Sequence, residues 1–540
     1  MTIFQTRIAK DAEGFAVNRA DMLSLIEKLR ALETRAESLS EKRRAVFDKR
    51  GQLSPRERLA ALLDPGMPFL ELYNIAGYLV DDPNLESSVP GCSMIVGIGF
   101  ISGVRCLVFV DDSGINAGAS TAMSVSKALG ALAVALKQKL PFVHCVESAG
   151  ANLMAYTVEL WANGGGMFAG LARLSAAGIP VITVLHGAST AGGAYQPGMS
   201  DYVIGVKGNG MAMLAGAALV RAATGEIAED QDLGGVEMHA TTTGLVEYLA
   251  ENDAHALEIC RDVIAGLNWN ENLHLKSLPS AIEPLCSAED IAGVVPVDYR
   301  RSYDVHEVAA RLVDGSDFLD FKPDYGAATV CLQGNIYGQA VGLIGNNGPI
   351  DPDGATKATH FLQLCDQAGT PVIFLNNTTG YMVGTRYEHA GMIKHGSKMI
   401  QTVTNLRAPK ISLYIGASFG AGNYGMCGFA FDPDFLLTWP NAMTGVMGGE
   451  QAALTMEQVM TNAAARKGQS IDPIKMEAQH AEITRHFDMQ SDAFYSSGRL
   501  LDHGMIDPRD TRKVIGFCLA TCREARTRIL RPNTFGVARP

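Results

Sequence analysis

One long pattern occurs twice in this chain, and that repeat constrains the fold more than any other feature of the sequence. Glu57-Arg58-Leu59-Ala60-Ala61-Leu62-Leu63-Asp64 is matched by Glu307-Val308-Ala309-Ala310-Arg311-Leu312-Val313-Asp314. Phe100-Ile101-Ser102-Gly103-Val104 is matched by Asn335-Ile336-Tyr337-Gly338-Gln339, and Ser126-Lys127-Ala128 by Thr356-Lys357-Ala358. Glu147-Ser148-Ala149-Gly150 answers to Asn377-Thr378-Thr379-Gly380. Gly187-Ala188-Ser189-Thr190-Ala191-Gly192-Gly193-Ala194-Tyr195 answers to Gly416-Ala417-Ser418-Phe419-Gly420-Ala421-Gly422-Asn423-Tyr424. The offset falls only from 250 residues at Glu57 and Glu307 to 229 at Gly187 and Gly416, a drift that a few loop deletions explain. Length alone would allow roughly three to four domains. The repeat reduces this to two homologous ones, residues 1–283 and 284–540, joined by a Pro-containing linker around residues 278–290.

Within each half, strand-like apolar runs alternate with helical patterns, which predicts an α/β fold with covered sheets. Leu25, Leu29, Leu32, Ala36 and Leu39 recur at helical spacing, so residues 20–48 are expected to form one long N-terminal helix that packs on its own domain or on a neighbouring subunit. A capping box opens the next helix: Ser54 caps, Pro55 takes the first helical position and Glu57 reaches back. Residues 181–185 and 411–415 read as strands that stop where the matched Gly-rich stretches begin. A chain that leaves a strand and restarts as a helix there has backbone N–H groups without intrahelical partners. Such donors can hold an oxygen that becomes negative during a reaction.

Composition excludes several classes. A net charge of −12 argues against a nucleic-acid surface. No apolar run approaches the ~20 residues of a membrane span, and the N-terminus lacks a signal-peptide core. Ten scattered cysteines form no C-x-x-C pair, which fits a soluble protein of a reducing, cytoplasmic compartment rather than a zinc or disulfide scaffold.

The chemistry narrows by elimination. Ser189 and Ser418 sit in no Gly-x-Ser-x-Gly elbow. Gly420-Ala421-Gly422-Asn423-Tyr424-Gly425 spells a dinucleotide fingerprint, but its first-half partner lacks the spacing, and no acidic residue ends a strand about 20 positions later. There is no phosphate-binding P-loop. His186, beside the first turn, reads as a structural residue or a catalytic one. What remains is a pair of backbone-amide sites without an evident protein base, a combination suited to enolate chemistry on a thioester.

At this point the residues resemble a known family. Glu147-Ser148-Ala149-Gly150-Ala151-Asn152-Leu153 and Thr190-Ala191-Gly192-Gly193-Ala194-Tyr195 in the first half are similar to motifs of the carboxyltransferase subunits of biotin-dependent acyl-CoA carboxylases. So are Thr379-Gly380-Tyr381-Met382-Val383-Gly384, Gly420 through Gly428, Trp439-Pro440-Asn441-Ala442 and Val446-Met447-Gly448-Gly449-Glu450-Gln451 in the second. The second-half motifs look like the methylcrotonyl-CoA and geranyl-CoA branch. The resemblance implies two crotonase-like domains with ββα spiral cores, the first binding acyl-CoA and the second biotin. Gly192 and Gly193 would hold the thioester oxygen, with Ser148, Ala149, Gly150 and Ala191 around the substrate. Ala421 and Gly422 would hold the biotin ureido oxygen, with Thr379, Gly380, Tyr381 and Gly420 around the cofactor. Biotin itself would be the base and would arrive on a biotin carboxylase/biotin carrier α subunit, since this chain has no Ala-Met-Lys-Met site, ATP loop or metal site. A homohexamer within an α6β6 assembly is implied, with each active site completed by a neighbouring subunit.

Departures from the family pattern cluster in the first half. Glu147 stands for Asp, Ala149 for Gly and Met154 for Pro. Gly164, Gly165 and Gly166 stand where methylcrotonyl-type sequences carry charged and aromatic residues. Small side chains there would leave room for a longer acyl group, which favours geranyl-CoA over methylcrotonyl-CoA; the alternative is that the Gly run is only a mobile loop. A biotin-dependent decarboxylase subunit, a hydratase or isomerase, and a silent scaffold are the rival readings.

Overall fold

The computed structural model describes residues 2–152, 154, 156–468 and 472–532; Leu153 of the first-half motif lies outside them. Two compact units are present. The first comprises Ala31–Lys276, Gly498–Leu500 and the residues from Thr521 onward; the second comprises the residues up to Arg30, Ser277–Ser497 and Leu501–Ala520.

The chain opens on a two-residue strand, β1 (Thr2–Ile3), which belongs to the second unit. The sheet of the first unit is built from β2 (Leu70–Leu72), β3 (Met94–Ile101), β4 (Val104–Asp111), β5 (Phe142–Ser148), β6 (Val181–Thr190), β7 (Tyr202–Val206), β8 (Met211–Met213) and β9 (Tyr248–Ala250). Its order is β2-β3-β4-β5-β6-β7-β9, with β8 paired to β6. The second unit repeats the plan with β10 (Asp317–Asp320), β11 (Thr329–Ile336), β12 (Gln339–Asn346), β13 (Val372–Thr378), β14 (Lys410–Phe419), β15 (Phe435–Thr438) and β16 (Met443–Gly445). Its order is β1-β10-β11-β12-β13-β14-β15, with β16 paired to β14. In both sheets an antiparallel hairpin leads into parallel strands. The α/β reading holds, and the sequence repeat is a structural repeat.

Local chemistry explains why the halves agree so closely. Each hairpin turns through two left-handed residues, Ser102-Gly103 and Tyr337-Gly338, as two-residue hairpin loops require. Both turns are clamped from outside. The Asp64 carboxylate accepts the N–H groups of Ser102 and Gly103 at 2.9 and 2.7 Å; Asp314 accepts those of Tyr337 and Gly338 at the same distances. An arginine from the last long helix of each unit then pairs with that aspartate, Arg261 at 2.8 Å and Arg512 at 2.9 Å. Lys127 and Lys357 are both buried, on matching helices Ala122–Gln138 and Pro352–Ala368.

Two expectations need correction. The long N-terminal helix runs Glu13–Glu41, and a separate helix Arg44–Arg50 follows. The strands do not stop at the Gly-rich stretches: β6 continues to Thr190 and β14 to Phe419. Each strand changes partner on the way. β6 pairs with β7 through residues 182–185 and with β8 through residues 188–190. β14 does the same with β15 and β16. The small residues let the strand bend onto a new neighbour instead of ending it. The capping box appears as read, with Ser54 accepting from the Glu57 N–H and Glu57 from the Ser54 N–H.

The N-terminal segment is fastened to the second unit. Thr6 Oγ1 and the Arg7 N–H each donate to the Glu307 carboxylate at 2.7 Å. The Phe4 ring stacks on His306, whose two nitrogens lie 2.6 Å from Asp304 and 3.0 Å from Asp320. Burial opposes protonation of this imidazole, but the two carboxylates outweigh it and push the histidine up to about 9. A raised value means that the stabilisation is complete below pH 6.5, the ordinary histidine value, and is lost as pH climbs through about 9. The unfolding midpoint of the second unit should therefore fall over that interval. His306→Gln should flatten the slope in a pH series of thermal melts; an unchanged slope would refute the assignment.

Candidate active site

Two turns meet in each unit because β5 and β6, and likewise β13 and β14, are parallel neighbours that end on the same side. Ser148 pairs with Ser189 across a register shift, and Thr378 pairs with Ser418 across the corresponding one. The first turn of each pair is held by matching bonds. The Ser120 N–H donates to the Gly150 carbonyl and the Ile350 N–H to the Gly380 carbonyl, both at 2.9 Å. The Gly150 N–H reaches back to Ser148 Oγ and the Gly380 N–H to Thr378 Oγ1, both at 3.2 Å. Gly150 and Gly380 have φ of 82° and 125°, values that only glycine adopts without strain. Ala149 and Thr379, at the tips, are exposed.

The second turn of each pair begins at Ala191 and Gly420, both with φ of 55°. After Ala191 the chain forms a 3₁₀ turn, Ala191–Ala194, and then the short helix Tyr195–Gly198. After Phe419 it goes directly into the helix Gly420–Gly425. A 3₁₀ start pairs its amides one residue sooner than an α-helical one, so the first copy presents the shorter run of unpaired N–H groups. Ala191, Gly192 and Ala421 are exposed, Gly193 is half-buried and Gly422 is buried. A Cβ on Gly422 would come within 2.7 Å of the Gly380 Cα, so the two turns of the second unit touch through backbone. The glycines of the apparent dinucleotide fingerprint answer to packing instead. A Cβ on Gly425 would meet the Tyr381 hydroxyl at 2.3 Å, and the Tyr381 ring is held against Gly396 as well.

The Gly run is not a loop. Gly164, Gly165 and Gly166 lie on the helix Val158–Ala176, capped by Thr157. Gly166 and Gly170 face Leu129 and Leu132 of the helix Ala122–Gln138, whereas a Cβ on Gly164 or Gly165 would meet open space. One turn beyond Gly164, the Phe168 ring packs edge-on against Tyr195, with centroids 5.9 Å apart. Phe168 also lies 3.7 Å from where a Gly192 Cβ would stand. This helix therefore joins Gly164 and Gly165 to the Gly192 turn, a link that sequence spacing does not reveal.

Beneath the first unit's turns lies a buried charge cluster that the sequence reading missed. Arg58, fully buried, bridges Glu147 Oε2 at 2.7 Å and Asp253 Oδ2 at 2.8 Å. His186 Nδ1 lies 2.9 Å from Asp253 Oδ1. Gln52 donates to Glu147 and to the His186 carbonyl. Burial and the neighbouring Arg58 charge hold His186 below its ordinary value, so it is neutral. Burial pushes Asp253 up, yet His186 and Arg58 overcome this and hold it at about 2. The cluster also dictates Gly187, because a Cβ there would lie 2.5 Å from Glu147 Cγ. Fully enclosed and paired to Asp253, His186 is structural. Neither matched serine has a base beside it. Ser418 Oγ donates to Asn376 and accepts from Asn423, and Ser189 faces Gly193. A cavity of about 190 Å³ opens beside Ser148 and Ala149, with Arg43 and Arg50 on its wall.

Twin amide turns, each at the end of a parallel strand in a duplicated α/β unit, define a class. The chain belongs to the carboxyl transferase domain family, which matches residues 48–534. Among solved structures it is similar to the β subunit of geranyl-CoA carboxylase from P. aeruginosa, with 47% identity, coverage of 99% of this chain and 100% of that one, and a TM-score of 0.93. A probable biotin-dependent acyl-coenzyme A carboxylase β2 subunit of Mycobacterium tuberculosis is 45% identical over 91% of both chains. The mitochondrial methylcrotonoyl-CoA carboxylase β chain of Dictyostelium discoideum is 40% identical over 96% of this chain and 88% of that one. The sequence reading therefore stands: tandem crotonase-like domains in a carboxyltransferase β subunit of the biotin-dependent acyl-CoA carboxylases. No helix among the described residues is long and apolar enough to cross a membrane.

Proposed function

We propose that this chain moves a carboxyl group from biotin, carried by a partner α subunit, to the γ carbon of a β-methyl enoyl-CoA, and that its substrate is geranyl-CoA. One observation carries the chain-length reading: Gly164 and Gly165 open free space on the helix that abuts the Gly192 turn. The likeness to a geranyl-CoA carboxylase β subunit supports the same choice. Methylcrotonyl-CoA is the alternative, favoured by the methylcrotonoyl-CoA carboxylase relatives.

In this reading Gly192 and Gly193 donate to the thioester oxygen, while Ser148, Ala149, Gly150 and Ala191 form the adjoining wall. Stabilising that oxygen lowers the cost of removing the γ proton, because negative charge spreads onto an atom that already has donors aimed at it. Ala421 and Gly422 hold the biotin ureido oxygen, and Thr379, Gly380, Tyr381 and Gly420 shape the surrounding cradle. The residues fit the group: the turn is made of small residues, its first amides lack helical partners, and Tyr381 is fixed in place by Gly396 and Gly425. When bound, biotin supplies the activated carboxyl and the base. This agrees with the absence of a suitable protein base at either turn among the described residues. The chain would act in the cytoplasm as a homohexamer with its biotin-bearing partner.

The test is carboxylation by the chain with that partner, using geranyl-CoA and methylcrotonyl-CoA in parallel. Discrimination of about tenfold or more in kcat/KM for the longer thioester is expected, since pocket methylenes are each worth ~1–3 kcal/mol. Preference for the five-carbon thioester would overturn the chain-length reading. Gly164→Phe or Gly165→Phe should selectively abolish use of the longer substrate; equal losses on both substrates would point to a structural role for the glycines.

A further inference from the structure

The helix Val158–Ala176 has two apolar faces, and only one of them is buried. Leu160, Leu171 and Leu174 enter the core, and Gly166 and Gly170 pack on Leu129 and Leu132. The other face carries Trp161, Gly164, Gly165 and Phe168 at positions i, i+3, i+4 and i+7, which line one side of a helix. Trp161 is 72% exposed. With Tyr156 and Val158 also exposed just before it in the chain, an indole left in water here forgoes one of the largest hydrophobic gains available to a side chain, and such a patch marks a place where something apolar docks.

The geometry identifies the occupant. At one end of the stripe Phe168 and Tyr195 meet beside the Gly192 turn. At the other stands Trp161, with two residues between them that carry no side chain. At 1.5 Å of rise per residue the stripe from Phe168 to Trp161 is about 10 Å long. That span suits the extended eight-carbon main chain of a ten-carbon β-methyl enoyl group; the four-carbon main chain of a methylcrotonyl group would end near the glycines. We propose that Trp161 is a specificity-determining residue: its indole forms the far wall of an acyl groove and packs on the distal isoprene unit of the substrate. The proposal rests on the geranyl-CoA reading above and adds the residue that recognises the end of the chain.

Two readouts test it. The protein has three tryptophans; Trp439 is fully buried and Trp269 half-buried, so Trp161 dominates quenching by acrylamide. Subtracting the signal of W161F isolates it. Geranyl-CoA should shield Trp161 from acrylamide in the full-length chain, and methylcrotonyl-CoA should shield it much less. In turnover with the biotin-bearing partner, W161A should lower the ratio of kcat/KM for geranyl-CoA over methylcrotonyl-CoA about tenfold, mainly through KM, consistent with loss of a single aromatic contact surface. W161F should restore most of that ratio. Equal shielding by both thioesters, an indole already shielded before substrate is added, or an unchanged ratio in W161A would each overturn the proposal while leaving the substrate reading intact. A wild-type enzyme that does not turn over geranyl-CoA would overturn the substrate reading and this proposal together.

Discussion

Gly422→Ala should reduce carboxyl transfer by about 10²–10³-fold, the usual loss when one preorganised oxyanion donor is displaced. The reason is steric and specific. The new methyl would stand 2.7 Å from the Gly380 Cα and 3.1 Å from the Gly380 carbonyl carbon. Both are backbone atoms of a turn that is itself tied to Ile350, so no flexible side chain can yield. The two turns must separate, and with them the proposed cradle of Thr379, Gly380 and Tyr381 on one side and Ala421 on the other. Gly266→Ala, outside the proposed site, is the control for folding, since its methyl would meet nothing within 4 Å. The check is a steady-state carboxylation assay beside a thermal melt. A Gly422→Ala protein that melts normally and turns over at the wild-type rate would remove this turn from the catalytic machinery.

Arg58→Met should destabilise the first unit by about 3–5 kcal/mol, the cost typical of removing one partner from a buried ion pair. Arg58 is the shared cation of Glu147 and Asp253, and none of the three reaches solvent appreciably. Without it two enclosed carboxylates face each other with Gln52, His186, the Leu53 N–H and the half-exposed Arg50 left to compensate. Arg58→Lys should recover little, because one ammonium cannot reproduce the planar fork that serves two carboxylates at 2.7 and 2.8 Å. Since Glu147 directly precedes Ser148, the same substitution should also loosen the turn at Ser148. Denaturant melts followed by calorimetry would separate these effects. An Arg58→Met protein with unaltered unfolding of the first unit would show that the cluster is dispensable.

The sequence exposed much of the frame because duplication doubles every local signal. Two hairpin segments and two Gly stretches recur with nearly constant offset, and each maps onto a matching element. What stayed hidden was of two kinds. The bend by which β6 leaves β7 for β8 depends on pairing with residues 211–213, which no reading of residues 181–190 alone contains. The Arg58 cluster joins residues separated by 89 and 195 positions, so Arg58 could only look like one more charge on an amphipathic helix. For Gly164 to Gly166 the sequence left a mobile loop open as the alternative. Three glycines weaken a helix by ~1 kcal/mol each relative to alanine, which favours a loop reading. Tertiary packing of Leu160, Leu171 and Leu174 reverses that preference.

The duplicated halves have diverged in how they take up protons. In the first, His186 is locked neutral, so its unfolded form gains a proton on acidification that the folded form refuses, and acid below about pH 6.5 works against that half. In the second, His306 is locked cationic between two aspartates, and alkali works against that half instead. At these two positions the halves thus answer to opposite ends of the pH scale.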